Sequence, residues 1–341
     1  MAAFSQGPRP TPEHIFNMLN AYQQTGALKA AIELDLFTAI DEGNHRVKQI
    51  AERVKASEKG VRILCDFLTI VGFLQKEEGK YKLAADGALF LSRRSPAYMG
   101  TIVEFLGNEK HHDNFRRLTE AVRRGGTPGE NGSNRKPADE LWVSFARSMA
   151  PLTVPNAIFI ASLVEAEEGR PCRVLDIAAG HGMYGITIAK QNPKAQITAL
   201  DWPAVLEVAK DNAEKAGVAD RYTLRPGSAF EAELGNDYDF ALLTNIFHHF
   251  DRQTCEELMV RVHDALKADG KAITLEFVPN EDRVSPVTPA AFSLIMLADT
   301  DAGDAYVFSE YEEMFANAGF SRTSLYRVPE GPQTVLISEK E

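Results

Sequence analysis

The hydrophobic pattern of the first hundred or so residues is that of short amphipathic helices. Apolar residues recur there at three- and four-residue spacing, with polar residues between them. This spacing predicts helices over residues 12–22, 27–40, 47–54 and 61–71, and two short extended pieces around residues 78–79 predict a hairpin. Short helices followed by a hairpin are typical of a winged helix.

A breaker-rich stretch interrupts the middle of the chain. Residues 125–137 combine Gly, Pro, Asn and Ser, which predicts a loop, and helical periodicity resumes over residues 140–149. We therefore expect three segments, a winged-helix-like domain over residues 1–100, a helical linker with pocket helices over 101–165, and a larger domain over 166–341.

From residue 173 the pattern alternates between apolar runs and amphipathic helices. The predicted strands are residues 174–178, 197–201, 240–244, 271–277 and 334–338. The predicted helices are residues 183–191, 204–216 and 251–267, and a last helix with a capping box at Ser309-x-x-Glu312. Such alternation predicts an α/β fold with a doubly wound, mostly parallel sheet and helices on both faces.

Composition narrows the classes of partner. The chain has 341 residues, of which 44% are apolar and 25% charged, and its formal net charge is −11. This acidic balance disfavours nucleic acid, and the chain has no apolar run of about 18 residues that would span a membrane. The three cysteines are far apart, which favours reduced thiols in the cytoplasm and gives no metal-site spacing. We therefore expect a cytoplasmic protein with no metal, nucleic-acid or membrane partner.

The most informative motif is a glycine-rich turn between a strand and a helix. Gly180-x-Gly182-x-x-Gly185, with Asp201 at the end of the next strand, is the pattern of a dinucleotide site, so an NAD enzyme must be weighed. Asp176, however, would meet a pyrophosphate unfavourably and would attract a cation. The spacing from Asp176 through Ala178, Gly180 and Gly182 favours the amino-acid portion of S-adenosylmethionine (SAM), which is a sulfonium without phosphate.

The neighbouring strand ends supply the rest of the predicted cofactor site. Asp201 would bind the ribose hydroxyls, and Trp202 would lie against the adenine. The residues predicted to bind SAM are Asp176, Ala178, Gly180, Gly182, Asp201, Trp202, Gly227, Ser228, Ala229, Phe230 and Thr244.

A histidine pair follows the third buried strand of this region. In an open parallel sheet, ligands bind beyond the carboxyl ends of the strands, so His248 should face the glycine turn across a crevice. A neutral imidazole is available near pH 7 to take the proton of a hydroxyl that attacks a methyl group. Glu276, at the next strand end, could orient that imidazole. Because adjacent side chains are expected to diverge, the His248-His249 pair predicts no metal site.

Taken together, these residues resemble the class I SAM-dependent small-molecule O-methyltransferases of the caffeate, acetylserotonin and bacterial polyketide-tailoring type. The resemblance implies a Rossmann-like catalytic domain with a seven-stranded sheet. It also implies an N-terminal winged helix, around residues 26–40, that forms a homodimer and does not read DNA. His248 matches the catalytic base of that family, and Glu276 matches the first of two acids that flank it.

The chain departs from the family pattern at several positions. His249 and Phe250 stand where the family has Asp and Trp, and Ser228 replaces a frequent Asp. The second flanking acid aligns with Ala305, and Asp304 is one position away.

Apolar residues on two segments complete the predicted site. Trp142, Phe145 and Met149 lie at positions i, i+3 and i+7 of one helix face, and the family analogy adds Phe292 and Met296. An aromatic and methionine lining suits a flat apolar acceptor.

The sequence therefore predicts SAM-dependent methylation of a hydroxyl on a small aromatic or polyketide-like molecule, with S-adenosylhomocysteine as the second product. C-methylation or a non-methylating SAM-binding role is the enzymatic alternative. A SAM-responsive DNA-binding regulator is the alternative from another class.

Overall fold

The computed structural model describes residues 11–129, 139–329 and 331–341. The chain divides into two compact units, with the boundary between Gly107 and Asn108. Residues 108–129 and 139–165, which the sequence placed in a separate linker segment, belong to the second unit. The predicted loop at 125–137 lies outside the described residues beyond position 129.

The N-terminal unit is helical, with one hairpin. Its elements are α1 (Glu13–Leu19), α2 (Tyr22–Glu33), α3 (Leu36–Asp41), α4 (Val47–Val54), α5 (Glu58–Ile70), β1 (Leu74–Glu77), β2 (Lys80–Leu83) and α6 (Ile102–Leu106). Strands β1 and β2 pair antiparallel, which confirms the hairpin. The single helical stretch predicted over residues 27–40 is wrong, because Asp35 adopts φ +57° and separates α2 from α3.

Helix α1 contributes nothing to the core of its own unit. None of its residues is buried, and its large apolar side chains Ile15, Phe16, Met18 and Leu19 are 59–69% exposed. The core is instead formed by apolar residues of α2 to α5 and the hairpin. An apolar helix face left open in this way is typical of an interaction surface.

The C-terminal unit is an α/β domain. Its helices are α7 (Glu109–Arg116), α8 (Leu118–Arg124), α9 (Asp139–Leu163), α10 (Met183–Gln191), α11 (Pro203–Lys215), α12 (Arg252–Ala265), α13 (Val287–Asp299) and α14 (Phe308–Asn317). Its strands are β3 (Cys172–Ile177), β4 (Ala195–Asp201), β5 (Tyr222–Pro226), β6 (Tyr238–Thr244), β7 (Leu266–Glu276), β8 (Arg322–Arg327) and β9 (Thr334–Glu339). They form one sheet in the order β5-β4-β3-β6-β7-β9-β8, which confirms the predicted seven-stranded, mostly parallel sheet.

The strand order reverses between β3 and β6. The chain winds outward from β3 to β5 and then returns to place β6 on the other side of β3. The two strands are parallel, with Asp176 opposite Leu242 and Ile177 opposite Leu243, so their carboxyl ends lie side by side. This is the switch point at which open α/β sheets bind ligands.

Apolar residues cover both faces of the sheet. Val174 and Leu242 pack with residues of α9 and α10 on one face. Leu175 and Leu243 pack with residues of α12 and α14 on the other. The strand ends are thereby held between two packed layers.

Several predicted element boundaries differ from those in the structure. Helix α12 ends at Ala265 instead of 267, because β7 begins at Leu266. The capping box predicted at Ser309 is wrong, since α14 begins at Phe308 and the Val307 N–H donates to Glu310 Oε2 (3.0 Å). Strand β8 was not predicted. Among the described helices, none combines the length and apolar character needed to cross a membrane.

Candidate active site

The glycine turn after β3 depends on left-handed backbone conformations. Ala178, Gly180 and Gly182 have φ values of +53°, +58° and +75°. A Cβ atom on Gly182 would lie 2.5 Å from the Tyr222 hydroxyl oxygen, so this position requires glycine for space as well as conformation. The turn is therefore a tight backbone cradle at the N-terminus of α10.

Asp201 ties the end of β4 to this turn. Its Oδ2 accepts from the Gly180 N–H at 2.8 Å, and its Oδ1 accepts from the Trp202 N–H at 2.7 Å. Burial raises the pKa of Asp201 to about 6. Each carboxylate oxygen has a second lone pair, so Asp201 can still accept from ribose hydroxyls.

Asp176 lies beneath the turn and is fully buried. Its Oδ2 accepts from the Gly185 N–H at 3.2 Å, while its buried Oδ1 has no hydrogen-bond partner in the described part of the chain. Burial, aided by the negative charge of Asp201, raises the pKa of Asp176 to about 8. A buried carboxyl with an unsatisfied oxygen is stabilised by a nearby cation.

The electrostatics of the turn fit SAM better than a dinucleotide. The turn itself carries no Lys or Arg. Burial lowers the pKa of its one imidazole, His181, to about 4, so that ring is neutral. The Asp201 carboxylate beside a turn without Lys or Arg would oppose a diphosphate. A bound ammonium or sulfonium would instead favour ionisation of both buried carboxyl groups.

Residues on the predicted adenine side adjoin Asp201. The Gly227 N–H donates to the Asp201 carbonyl oxygen at 3.0 Å, which joins the 227–230 turn to β4. Ser228 is buried, and its Oγ accepts from the Phe230 N–H at 3.2 Å. The Ala229 carbonyl accepts from Arg261 Nε at 3.2 Å, which holds the middle of the turn.

Two aromatic residues, Phe230 and Trp202, also lie on the predicted adenine side. Phe230 contacts Phe250, with ring centroids 5.0 Å apart. Trp202 packs with Trp142, Val205 and Val208. Thr244, by contrast, is the buried last residue of β6, on the other side of β3.

The predicted catalytic pair, His248 and Glu276, lies at the next two strand ends. His248 is in a 3-10 turn after β6, and Glu276 is the last residue of β7. His248 Nδ1 and Glu276 Oε2 are 2.6 Å apart, and the Phe247 N–H donates to Glu276 Oε1 at 2.9 Å. Glu276 is 0% exposed and His248 5% exposed. Because a carboxylate oxygen accepts, the neutral imidazole tautomer that fits this contact has its proton on Nδ1 and leaves Nε2 as an acceptor.

Comparison with known proteins identifies the family of the chain. Residues 149–321 match the family model of the O-methyltransferase domain, and residues 16–93 match the O-methyltransferase dimerisation domain. The chain belongs to the O-methyltransferase family. It is a SAM-dependent methyltransferase.

The alignments with related proteins extend over nearly the full length of this methyltransferase. It is 27% identical over 322 residues to 3-hydroxy-5-methyl-1-naphthoate 3-O-methyltransferase of Streptomyces sahachiroi, covering 93% of this chain and 91% of that one. The structure of a proposed O-methyltransferase from Nostoc punctiforme is 47% identical, with a TM-score of 0.94 and coverage of 97% and 100%. Human N-acetylserotonin methyltransferase in complex with SAM, at 21% identity, has the same fold, with a TM-score of 0.84 and coverage of 98% and 99%.

The methyltransferase surrounds His248 with aromatic rings. The Phe292 ring meets it edge-on at 4.9 Å, and Phe292 stacks on Phe277 at 4.2 Å. Phe277 was missed by the sequence analysis, although it directly follows Glu276. The rings of His248 and His249 are 4.2 Å apart, so the expectation that these side chains diverge is wrong.

The other predicted acceptor residues lie on α9 and α13. Trp142 meets the His249 ring at 5.3 Å and the Phe145 ring at 5.9 Å. Met149 is half-buried two turns further along α9, and Met296 is buried one turn beyond Phe292 on α13. Trp142 and Phe292 therefore contact the histidine pair, while Phe145, Met149 and Met296 extend the same helix faces.

Neither residue at the position predicted for the second family acid lies beside His248 as a carboxylate. Ala305 is fully buried, and Asp304 lies at the surface 3.7 Å from Arg283. Glu276 is thus the carboxylate that contacts His248. In the described parts of the chain, no cluster of three or more His, Cys, Asp or Glu side chains is arranged to hold a metal ion.

Proposed function

We propose that this enzyme transfers the methyl group of SAM to a hydroxyl of a small aromatic or polyketide-like molecule, with His248 as general base. The observation that carries the proposal is the buried hydrogen-bond chain from the Phe247 N–H through Glu276 to His248 Nδ1. The chain fixes one tautomer and leaves Nε2 as the proton acceptor.

The residues available to hold SAM are those around the glycine turn. The backbone of Gly180 and Gly182 would adjoin the amino-acid portion, and Asp201 would accept from the ribose hydroxyls. Trp202 and the 227–230 turn would border the adenine. When bound, SAM supplies an electrophilic methyl group on a sulfonium.

The protein's own side chains would deprotonate and orient the acceptor. A hydroxyl beside His248 Nε2 would lose its proton as its oxygen attacks the methyl carbon. Because a phenol is about 3.5 pKa units less acidic than an imidazolium, we expect deprotonation to be concerted with attack. Phe292 and Trp142 would hold the acceptor flat and exclude water, so that oxygen and methyl meet in line.

Substitution of His248 tests the proposal directly. His248→Ala should lower turnover at least about 100-fold, because the hydroxyl loses its proton acceptor, while SAM affinity is retained. Transfer of labelled methyl to a panel of phenols and titration with SAM measure the two quantities. Near-wild-type turnover would remove His248 as the base. Binding of NADH in place of SAM would refute the cofactor assignment.

The chemical shift of the transferred methyl group separates the enzymatic alternatives. An O-methyl product supports the proposal, and a C-methyl product would replace it with C-methylation.

We also propose a homodimer formed through the N-terminal unit. The match to the dimerisation domain and the open apolar face of α1 support it. Gel filtration at micromolar concentration should give the mass of a dimer, and a monomer would contradict the proposal.

A further inference from the structure

Three side-chain amides form a row across the carboxyl rim of the sheet, and the proposed proton transfer does not use them. Asn156 Nδ2 donates to Gln333 Oε1 at 2.7 Å, and Gln333 Nε2 donates to Asn245 Oδ1. Asn156 lies on α9, Gln333 directly precedes β9, and Asn245 directly follows β6. The central residue, Gln333, is buried. These three residues form an amide bridge that ties one helix to two strand ends.

The amide bridge lies beside both members of the predicted catalytic pair. Asn245 is three residues before the proposed base, and its N–H donates at 2.9 Å to the carbonyl oxygen of Leu275, the residue before Glu276. Gln333 directly precedes Thr334, which is opposite Glu276 in the pairing of β7 with β9. The bridge therefore joins the two strand ends from which the base and its carboxylate are presented.

Asn245 also has a backbone conformation that few side chains adopt. Its φ is +58°, in the left-handed region that Asn tolerates better than most residues do. At this point the chain leaves β6 and enters the base turn, residues 247–249, which carries His248. A strained residue persists where its surroundings hold it in place. The hydrogen bond from Gln333 to Asn245 Oδ1 holds the side chain at the point where the base turn leaves the sheet.

The other end of the bridge is on the helix that carries part of the predicted acceptor wall. Trp142, Met149 and Asn156 recur at seven-residue intervals along α9, so they lie on one side of that helix. The Trp142 ring meets the His249 ring of the base turn at 5.3 Å. A displacement of about 1 Å between an acceptor and a catalytic group can cost about 100-fold in rate. The bridge is thus placed to control the distance between the wall and the base turn.

The bridge is made of uncharged groups. Amides do not titrate in the working pH range. Burial raises the pKa of the neighbouring Tyr184 hydroxyl well above its usual value, although the amides of Asn156 and Asn245 act in the opposite direction. Tyr184 is therefore also neutral, and the bridge can fix the position of the base turn without changing the proton affinity of the catalytic pair.

We propose that the amide bridge holds the base turn in register with the acceptor wall of α9, and that Gln333 and Asn245 are positioning residues for His248. The inference rests on the proposed O-methyl transfer. It assigns these residues no contact with SAM or with the acceptor, because they act through the base turn.

Two variants break the bridge in different ways. Gln333→Leu removes both hydrogen bonds, and Asn245→Gly removes one amide while glycine keeps the left-handed conformation. For the phenol that the wild type methylates fastest, each should lower kcat at least about tenfold, or about 1.4 kcal/mol, while the acceptor KM and SAM affinity stay within about threefold. The kinetic pKa values should not change. Asn245→Asp, which keeps an oxygen that accepts from Gln333, should recover most of the lost kcat.

Hydrogen exchange tests the same inference without any acceptor. In Gln333→Leu, the backbone N–H groups of residues 245–250 should exchange at least about tenfold faster relative to those of β4, because the base turn opens locally. Asn192→Leu is the matched control, since Asn192 is a buried amide that donates to the Arg170 carbonyl oxygen at 2.7 Å beside the amino end of β3. The control should lose stability but keep wild-type kcat and wild-type relative exchange of the base turn.

Several results would overturn the inference and leave the proposed function standing. They are wild-type kcat in Gln333→Leu, wild-type relative exchange of its base turn, a shifted kinetic pKa, or an equal loss of kcat in Asn192→Leu. Additive losses in the double variant Asn245→Gly/Gln333→Leu would also overturn it, because residues that share one bond should not act independently. A wild type that methylates no phenol of a broad panel would refute the proposed function, and the exchange of residues 245–250 would then decide whether the bridge holds the turn.

Discussion

Replacing Glu276 with Gln should disable the base without removing any packing. The glutamine side chain is nearly isosteric with glutamate, and its amide oxygen can still accept from the Phe247 N–H, as Glu276 Oε1 does at 2.9 Å. The amide NH₂ would then face His248 Nδ1, where the carboxylate oxygen lies 2.6 Å away. An NH₂ in that place donates to Nδ1 and moves the imidazole proton to Nε2. The nitrogen facing the acceptor hydroxyl would then be a donor instead of an acceptor.

The expected loss is large because the pair has no access to water that could restore the tautomer. Glu276 is 0% exposed and His248 5% exposed. Reversal of the tautomer in the Ser-His-Asp triad costs about 10⁴ in kcat. A methyl transfer also draws on positioning of the two substrates, so we expect a fall of about 10²- to 10⁴-fold, or about 3–5 kcal/mol of transition-state stabilisation.

The assay is single-turnover transfer of labelled methyl, with SAM affinity measured separately. SAM affinity should remain within about threefold, since Glu276 ends β7, which is two strands away from the β3 strand that leads into the glycine turn. Glu281→Gln, at a surface carboxylate that accepts from Ser309, is the matched control and should behave as wild type. Because Glu276 and His248 act as one unit, the double variant Glu276→Gln/His248→Ala should be no slower than the slower single variant. A Glu276→Gln enzyme with more than a third of wild-type kcat, or fully additive losses in the double variant, would refute the reasoning.

Three further predictions concern stability, cofactor binding and assembly. The folded-state pKa of Asp176, about 8, lies above its unfolded value near 3.9, so the apo-protein loses stability as pH rises from about 4 to 8. Urea unfolding should show a smaller loss of stability for Asp176→Asn over this pH range. Parallel stability–pH curves for the variant and the wild type would contradict this prediction. Gly182→Ala adds a Cβ 2.5 Å from the Tyr222 hydroxyl oxygen at a backbone φ of +75°. It should lower the free energy of unfolding, measured by chemical denaturation, by about 1–3 kcal/mol and weaken SAM binding at least about tenfold. Unchanged SAM affinity would show that the turn does not form the SAM site. Phe16→Glu, on the open face of α1, should shift sedimentation toward the monomer, and an unchanged mass would exclude α1 from the interface.

The strands that carry the site could be predicted because they are buried on both faces. β3, β4 and β6 are short, largely apolar runs with a carboxylate or a polar residue at or next to their last position, and this signal is strong in a parallel sheet. Strand β8 was not recognised because it is an edge strand with the polar sequence Arg-Thr-Ser-Leu-Tyr-Arg. Its pairing with β9 is a tertiary contact that local pattern does not report.

Predictions from local sequence were also wrong where a side chain bonds to a residue that is distant along the chain. Ser309 looks like a helix cap, but its hydroxyl donates to Glu281 Oε2 at 2.9 Å, and Glu310 caps the helix instead. The run over residues 27–40 looks continuous, and nothing in its periodicity marks the left-handed Asp35. The His248–Glu276 bond joins residues 28 positions apart, and Glu276 could still be predicted to orient the imidazole because both residues follow strands that end on the same rim.

The reactive groups and the pocket walls are built on separate parts of the domain. His248 and Glu276 are fixed to strand ends in the sheet, whereas Trp142 and Phe292 project from α9 and α13. On the proposed function, exchanging the wall residues can therefore change which molecule fits while the proposed proton-accepting pair stays intact. Such a division lets one scaffold acquire new acceptors after gene duplication. Mutant libraries designed to accept new substrates should therefore vary the helix positions and keep the strand ends unchanged.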